Sequence, residues 1–281
     1  MPLPSKHIVI SFDDGPNNVT TPLLLDTLKK ENVKASFFMV GVNIDNRKLM
    51  HRMLDEGHIL GSHTWGHAHM TQLNHEQMMD QILHEERVFK SIVGDRPFFF
   101  RPPYGEINNK IRKFLTDRHY IVWKWNFDTY DWNKHTPKEV YDAAINVLTR
   151  NEMGKGGGGI VLMHEFPWTT NAQKVLIPEL KKRGYTLRDP LSMLSVTEME
   201  NLKRWSCGGD ACEKFARSRR WCDCPVKKLR SVVHPTTLSR KEKHDAVMSE
   251  LYKIEGILFL VIVISLILLA RFNRNPVYKK V

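Results

Sequence analysis

The stretch His7-Ile8-Val9-Ile10-Ser11-Phe12-Asp13-Asp14-Gly15-Pro16 is an apolar run that breaks into a turn at two adjacent carboxylates. The apolar part predicts a buried β-strand, and Asp, Gly and Pro are common turn formers, so an ordinary turn would explain the last four residues. Two like charges this close disfavour each other's ionised form unless a cation or a basic side chain offsets the repulsion. If the two aspartates have a chemical use, the rest of the chain must supply partners for them.

The sequence alternates β-rich apolar runs with segments of helical periodicity up to about residue 190. We predict strands at 7–11, 35–40, 58–62, 97–101, 120–126, 159–163 and 185–187, and helices at 20–31, 46–56, 74–93, 107–118, 137–150 and 172–183. This alternation is typical of βαβ units and predicts an α/β fold with a parallel sheet, closed or open. An α/β barrel would use most of the chain, and we assign residues 1–190 to it.

The net charge of +11 belongs to the C-terminal part of the chain. Residues 1–200 carry 25 Lys and Arg against 24 Asp and Glu, whereas residues 201–281 carry 17 against 7. A nearly neutral main domain argues against a nucleic-acid partner. The basic tail is either solvated or close to anionic membrane lipids.

The four cysteines lie in a basic appendage and stalk that we assign to residues 191–253. They are Cys207, Cys212, Cys222 and Cys224. Their C-x4-C-x9-C-x-C spacing differs from paired C-x2-C zinc knuckles, so we favour two disulfides formed in an oxidising compartment. Free thiols in a cytosolic protein are the alternative, and the sequence does not choose among the three possible pairings.

A run of fourteen uncharged residues, Ile257 to Ala270, predicts a transmembrane helix over 254–272, followed by a basic tail at 273–281. Fourteen helical residues reach about 21 Å, short of the roughly 30 Å hydrocarbon core, so flanking residues must extend the span. A buried C-terminal core helix is the alternative. No apolar signal segment precedes the first strand, yet the cysteines favour an extracytoplasmic catalytic domain, so we expect a single-pass membrane protein with a missing leader.

Partners for the aspartate pair follow the later predicted strands, where the catalytic residues of α/β barrels collect. His63 and His67 follow the third strand, four residues apart. With one carboxylate they make three protein ligands and leave a position open for water, as in catalytic metal sites. Arg101 follows the fourth strand and can neutralise the other aspartate.

Two more groups complete the predicted site. Asp128-Thr129-Tyr130-Asp131-Trp132 follows the fifth strand, and His164 ends the sixth. A histidine beside a metal site can act as a general acid if a carboxylate raises its pKa, and Asp131 is the candidate for that role.

Five segments together resemble the polysaccharide deacetylases of the NodB-homology family, carbohydrate esterase family 4. They are Ser11–Pro16, His63–His67, Arg101–Tyr104, Asp128–Trp132 and Leu162–His164, within residues 7 to about 188. The segments around His63 and Arg101 are most similar to fungal-type chitin deacetylases. The resemblance implies a distorted (β/α)7 barrel and hydrolysis of N-acetyl groups on β-1,4-linked N-acetylglucosamine polymers such as chitin.

The resemblance also implies a role for each candidate side chain. Asp14, His63 and His67 would bind one divalent metal ion, zinc or alternatively cobalt, and Asp13 would be the general base, held by Arg101. His164, tuned by Asp131, would be the general acid. The backbone N–H of Tyr104 would stabilise the oxyanion, and Trp132 and Leu162 would form the pocket for the acetyl methyl group.

Other readings of the same residues remain open. The barrel could be a catalytically silent polysaccharide-binding protein, or its substrate could be peptidoglycan or O-acetylated xylan. Glu165 stands where the family more often has Asp, which would alter the acid side of the site slightly.

Overall fold

Short parallel strands, each followed by a helix or a turn, form one sheet in the computed structural model, which describes residues 4–153 and 158–206. The strands are β1 (His7–Asp13), β2 (Ser36–Met39), β3 (Ile59–Ser62), β4 (Phe99–Phe100), β5 (Ile121–Val122), β6 (Phe127–Asp128), β7 (Gly159–His164) and β8 (Thr186–Leu187). The helices are α1 (Thr20–Lys30), α2 (Arg47–Asp55), α3 (His75–Val93), α4 (Asn109–Asp117), α5 (Pro137–Met153), α6 (Pro167–Lys182) and α7 (Val196–Ser206).

The sheet is a curled half-barrel, and β1 lies at its centre. The hydrogen-bonded strand order is β5-β4-β3-β2-β1-β7-β6, and β8 pairs with the start of β1. All of these pairs are parallel, as predicted. Because β5 and β6 stand at the two ends of this order, the predicted seven-stranded barrel is open between them.

Alternation along β1 decides which side chains face the inside of the half-barrel. Ile8, Ile10 and Phe12 pack in the core cluster formed with the helices. Val9 faces the other way and packs with residues from β2 to β5 and β7. Asp13, two positions beyond Ser11 and four beyond Val9, therefore ends the inward-facing row.

Local signals fix the ends of α3, which follows the pattern predicted for 74–93. Asn74 and Gln77 form a reciprocal capping box at its start, and Gly94 ends it in the left-handed region with φ of 96°. Both features provide hydrogen-bond partners for backbone groups that have none within the helix at its ends. Met78 and Ile82 are buried, as expected for the apolar face.

The single strand predicted over 120–126 is wrong. The chain instead forms β5 and β6, which lie at opposite ends of the sheet order. Between them the backbone leaves the ladder: the carbonyl oxygens of Trp123 and Lys124 each accept a hydrogen bond of 3.4 Å from Arg101. Asn126 bonds instead to the backbone N–H of Ile160.

Two helices differ from the prediction near the end of the domain. Helix α6 begins at Pro167 rather than 172, because proline at the first helical position lacks only an N–H that has no helical partner. Helix α7 was not predicted, yet Leu191 and Leu202 are buried in the same cluster as Val9. The packed core therefore continues past residue 190.

Among the described residues, no helix is long and apolar enough to cross a membrane. The predicted span at 254–272, the tail at 273–281 and the four cysteines lie outside the described residues, as does most of the predicted appendage.

Candidate active site

The carboxyl ends of the parallel strands meet at one edge, and most of the candidate side chains lie there. Asp13 ends β1 and His164 ends β7, and these two residues are partners in register. His63 directly follows β3, and Arg101 directly follows β4.

Asp13 is buried and paired with an equally buried cation. Arg101 Nη1 donates to Asp13 Oδ1 at 2.7 Å and to Ser11 Oγ at 2.9 Å. The Arg101 guanidinium stacks over Phe38, 4.0 Å from the ring centroid. Burial raises the pKa of Asp13, and the charge and hydrogen bond of Arg101 oppose that rise. Asp13 is thus a carboxylate held in place, with Oδ2 not engaged by the arginine.

Asp14, His63 and His67 form a cluster that fits a metal ion. Asp14 Oδ1 lies 3.7 Å from His63 Nε2 and 3.4 Å from His67 Nε2, and one ligand atom from each residue lies within 4.8 Å of the others. Ligands about 2.1 Å from a tetrahedral zinc ion are about 3.4 Å apart, close to these spacings. Asp14 Oδ1 is buried without a hydrogen-bond partner, which a bound cation would supply.

Neighbouring groups orient both histidines so that Nε2 faces Asp14. His63 Nδ1 lies 2.7 Å from the carbonyl oxygen of Arg101, which can only accept, so Nδ1 carries the proton and Nε2 has a free lone pair. Burial lowers the pKa of His63 to about 3, keeping the ring neutral. His67 Nδ1 lies 3.2 Å from the Tyr104 hydroxyl.

The backbone around the cluster is strained. Asp14, Thr64, His67 and Tyr104 have φ values of 70°, 67°, 54° and 58°, in the left-handed region that favours glycine. Such conformations persist only when the surrounding structure enforces them, and they concentrate at functional sites.

His164 faces this cluster from the opposite side. Its Nδ1 lies 2.7 Å from Asp131 Oδ1, and its Nε2 lies 4.0 Å from Asp14 Oδ2. Burial alone would lower the pKa of His164, but the hydrogen bond and the charge of Asp131, helped by Asp13 and Asp14, raise it to about 9. The imidazole is therefore protonated at neutral pH.

Asp131 is itself fixed by groups that the sequence analysis missed. Its Oδ2 accepts hydrogen bonds from the backbone N–H of His164 at 2.7 Å and from Thr169 Oγ1 at 2.6 Å. Trp168 Nε1 donates to the Asp131 carbonyl at 2.8 Å. Pro167 is a sequence signal for an earlier start of α6. A helix predicted from Pro167 would have included both Trp168 and Thr169.

The predicted substrate-contacting residues have different exposures. Tyr104 and Trp132 are exposed at 53% and 54%, whereas Leu162 is only 4% exposed and lies within β7. His69, which has no role in the predicted site, stacks on the Tyr104 ring with centroids 3.8 Å apart. It also interacts with the carboxylate of Glu106 at 3.3 Å, so it fixes the orientation of Tyr104.

Glu165 lies beneath the turn after β1. Its carboxylate accepts a hydrogen bond from the Thr21 hydroxyl, and a Cβ added to Gly15 would lie 1.6 Å from Glu165 Oε1. Burial raises the pKa of Glu165 to about 8. A side chain at position 15 would therefore have to displace the Glu165 carboxyl group, which occupies the space beside Gly15.

Comparison with known proteins gives the same family as the motifs. The family model described as polysaccharide deacetylase matches residues 1–123. This region holds the first three motif segments, while Asp128–Trp132 and Leu162–His164 lie beyond it.

Curated relatives include bacterial and fungal enzymes. A peptidoglycan-N-acetylglucosamine deacetylase of Bacillus cereus is 33% identical over 190 residues, 65% of this chain and 66% of the relative. The peptidoglycan-N-acetylglucosamine deacetylase PgdA of Listeria monocytogenes is 37% identical over 183 residues, 64% of this chain and 37% of the relative. Chitin deacetylase 2 of Cryptococcus neoformans is 32% identical over 182 residues, 61% of this chain and 39% of the relative. The chain spans less than two thirds of each relative, and its similarity to the fungal protein does not exceed that to the bacterial ones.

Solved structures agree with the fold. The Bc1960 peptidoglycan N-acetylglucosamine deacetylase has a TM-score of 0.61 and 30% identity, over 69% of this chain and 90% of that chain. A family 4 pseudoenzyme, BA3943 of Bacillus anthracis, also has a TM-score of 0.61, with 26% identity over 68% of this chain and 66% of that chain. The fold therefore occurs both in active and in inactive proteins, and the residues at the site must decide between them.

Proposed function

The chain belongs to the polysaccharide deacetylase family, carbohydrate esterase family 4, and on that premise we propose that it hydrolyses N-acetyl groups of N-acetylglucosamine residues in a polysaccharide. The proposal rests on one observation: the two adjacent carboxylates, Asp13 and Asp14, have different surroundings. Asp13 is bound to Arg101, whereas Asp14 faces the Nε2 atoms of two histidines.

We assign the metal-binding role to Asp14, His63 and His67, whose donors suit zinc or cobalt. A divalent cation bound there would lower the pKa of a coordinated water and polarise a carbonyl oxygen. The neutral state of His63 and the orientation of its Nε2 support this role.

Asp13 is proposed as the general base. Its Oδ1 is held by Arg101 at 2.7 Å, which leaves Oδ2 to accept a proton from an attacking water. Oδ2 lies 3.6 Å from His63 Nε2, so this oxygen borders the proposed metal position. Its raised pKa makes Asp13 a stronger base than an exposed aspartate.

His164 is proposed as the general acid. An amide nitrogen leaves poorly unless it is protonated as its bond to the acyl carbon breaks. His164 holds a proton at neutral pH, and its Nε2 points toward Asp14. Asp131 keeps the imidazole in this orientation through its bond to Nδ1.

The remaining residues would hold the substrate. The exposed rings of Tyr104 and Trp132 offer faces for a sugar, and the backbone N–H of Tyr104 is the proposed oxyanion donor. Leu162, which is buried in β7, is proposed to close the pocket for the acetyl methyl group.

The proposal also concerns which polysaccharide carries the reacting sugar. Two of the relatives described above are named for peptidoglycan and one for chitin, and N-acetylglucosamine is the unit common to both polymers. We therefore propose N-acetylglucosamine as the reacting residue, with peptidoglycan and chitin oligomers as the two substrates to compare. An O-acetyl xylan esterase would require the same hydrolytic groups but a different sugar.

The test is acetate release from chitin oligomers, peptidoglycan fragments and acetylxylan by full-length protein loaded with zinc or cobalt. We expect release from at least one N-acetylglucosamine polymer, and a loss of about 10²- to 10⁴-fold in Asp13→Asn, the scale of a general base. Asp45→Asn, at an exposed aspartate, is the control. No release from any substrate with either metal would refute the proposal and favour a silent polysaccharide-binding protein, as would protein that binds no metal.

We also propose, from sequence alone, that residues 254–272 anchor the chain in a membrane with the catalytic domain outside the cytoplasm. The apolar run Ile257 to Ala270 and its basic flank support this. The even number of cysteines, with a spacing unlike that of zinc knuckles, supports disulfide formation there. Extraction of the full chain from membranes by detergent but not by alkaline carbonate is expected, and recovery in the soluble fraction would refute the anchor.

A further inference from the structure

The segment from Ser62 to His67 carries both proposed metal-binding histidines, and two of its residues, Thr64 and His67, are in the left-handed region. Nothing in this short segment enforces such a conformation by itself. Contacts from other elements must therefore hold it.

One set of contacts comes from the turn after β2. The backbone N–H groups of Gly41 and Val42 donate to the carbonyl oxygens of Thr64 and Trp65 at 3.0 and 2.9 Å. A Cβ added to Gly41 would lie 2.5 Å from the Trp65 ring and 2.9 Å from its Cα. This side supplies close packing and backbone bonds only.

The second set comes from the middle of α3, where Gln81, His84 and Glu85 face the segment; we call these three the clamp face. The backbone N–H of Trp65 donates to the Gln81 carbonyl, and the N–H of Gly66 donates to Gln81 Oε1, each at 2.8 Å. The Trp65 ring stacks on His84, with centroids 3.8 Å apart and an interplanar angle of 10°.

Glu85 completes the clamp face at the start of the segment. It is fully buried, and its carboxylate accepts a hydrogen bond from the Ser62 hydroxyl. The Ser62 hydroxyl in turn lies 3.4 Å from the backbone N–H of Thr64, the residue that begins the strained turn. A buried carboxyl group is costly, and here it lies at the residue directly before His63.

We propose that Gln81 and Glu85 are positioning residues, which hold His63 and His67 in the conformation that binds the metal. This inference rests on the proposed metal site. Residues that orient metal ligands without touching the metal typically contribute 10- to 100-fold to metal affinity, so the effect is large enough to measure.

The experiment measures zinc affinity of the full chain by competition with a chromophoric chelator, together with the visible spectrum of the cobalt form. Glu85→Leu removes the acceptor and puts an apolar side chain in its place, and we expect about tenfold weaker zinc binding or more and an altered cobalt spectrum. Glu85→Gln keeps an acceptor for Ser62 and should restore affinity to within about threefold of wild type. If Glu85 contributed only packing, Glu85→Leu should bind zinc more tightly than Glu85→Gln, because leucine suits an apolar interior better than glutamine does.

Glu86→Gln is the matched control, because Glu86 is the next residue on α3 and pairs with Arg118 instead. Its zinc affinity should match that of wild type. If Glu85→Leu does not fold, Gln81→Met tests the same inference by removing the acceptor of the Gly66 N–H, with about tenfold weaker binding expected.

Unchanged zinc affinity in folded Glu85→Leu and Gln81→Met would overturn the inference, as would an equal loss in Glu86→Gln. A wild-type protein that binds no zinc or cobalt would instead refute the proposed function. The two failures are therefore distinguishable.

Discussion

Replacing Asp131 by Asn should lower the pKa of His164 and reduce the fraction of protonated imidazole. In the native protein the pKa of His164 is raised from 6.5 to about 9, although burial opposes the rise. This difference corresponds to roughly 3 kcal/mol favouring the charged imidazole. Asn cannot supply a negative charge, so the pKa of His164 should fall from about 9 toward its ordinary value, with only Asp13 and Asp14 left to oppose burial.

The assay is a titration of the His164 side chain by nuclear magnetic resonance in wild type and Asp131→Asn, alongside acetate release against pH. We expect the descending limb of the activity profile to move to lower pH in the variant. Asp128→Asn is the control, since Asp128 affects His164 by charge but forms no hydrogen bond to it. A His164 that still titrates near 9 without Asp131 would refute the reasoning.

The pair of His164 and Asp131 should also make the stability of the fold depend on pH. Because the folded-state pKa lies above the unfolded value, the pair stabilises the native protein fully below about pH 6.5, and this contribution is lost as pH rises through about 9. The free energy of unfolding, measured by chemical denaturation, should fall less between pH 6 and pH 10 in Asp131→Asn than in wild type. An equal difference in both proteins would contradict the linkage.

Three further predictions concern the other side of the site. Arg101→Met should destabilise the fold by about 3–5 kcal/mol in denaturant titration, because Asp13 would be left buried without its cation; a loss below about 1 kcal/mol would show that the pair is not needed. His67→Ala should remove measurable zinc binding while the thermal midpoint of the metal-free protein changes little, since His67 is only half-buried; retained zinc affinity would exclude it as a ligand. Gly15→Ala should lower the thermal midpoint through overlap with the Glu165 carboxyl, and adding Glu165→Asp should recover part of the loss; no recovery would mean that the overlap is not the cause.

The fold was largely predictable because its signals are local. The apolar run of β1 and the periodicity of α3 are readable in a single sequence, and both elements are present with similar limits. The strand predicted over 120–126 was wrong because its apolar composition favours a strand. What divides it is the distant guanidinium of Arg101, which bonds to two of its carbonyl groups.

In the candidate site, too, the features set by local sequence could be predicted, and those set by tertiary contacts could not. The side chains proposed to do chemistry follow predicted strand ends, so the topology alone brought them to one edge. The groups that hold them, such as Thr169 against Asp131 and Glu85 against Ser62, are joined only by tertiary contacts. Ser11 is an exception, because period-two alternation places it on the same face as Asp13.

The position of Arg101 has a mechanical consequence. Its side chain holds Asp13, while its own carbonyl oxygen fixes the tautomer of His63. The proposed base and one proposed metal ligand are thus fastened to the same residue and must move together if β4 shifts. His164 and Asp131 are fastened to each other and to α6, and His164 is also the register partner of Asp13. A shift of Arg101 would therefore disturb the proposed base and one proposed metal ligand at the same time, and the pairing of β1 with β7 would pass a displacement of Asp13 on to His164.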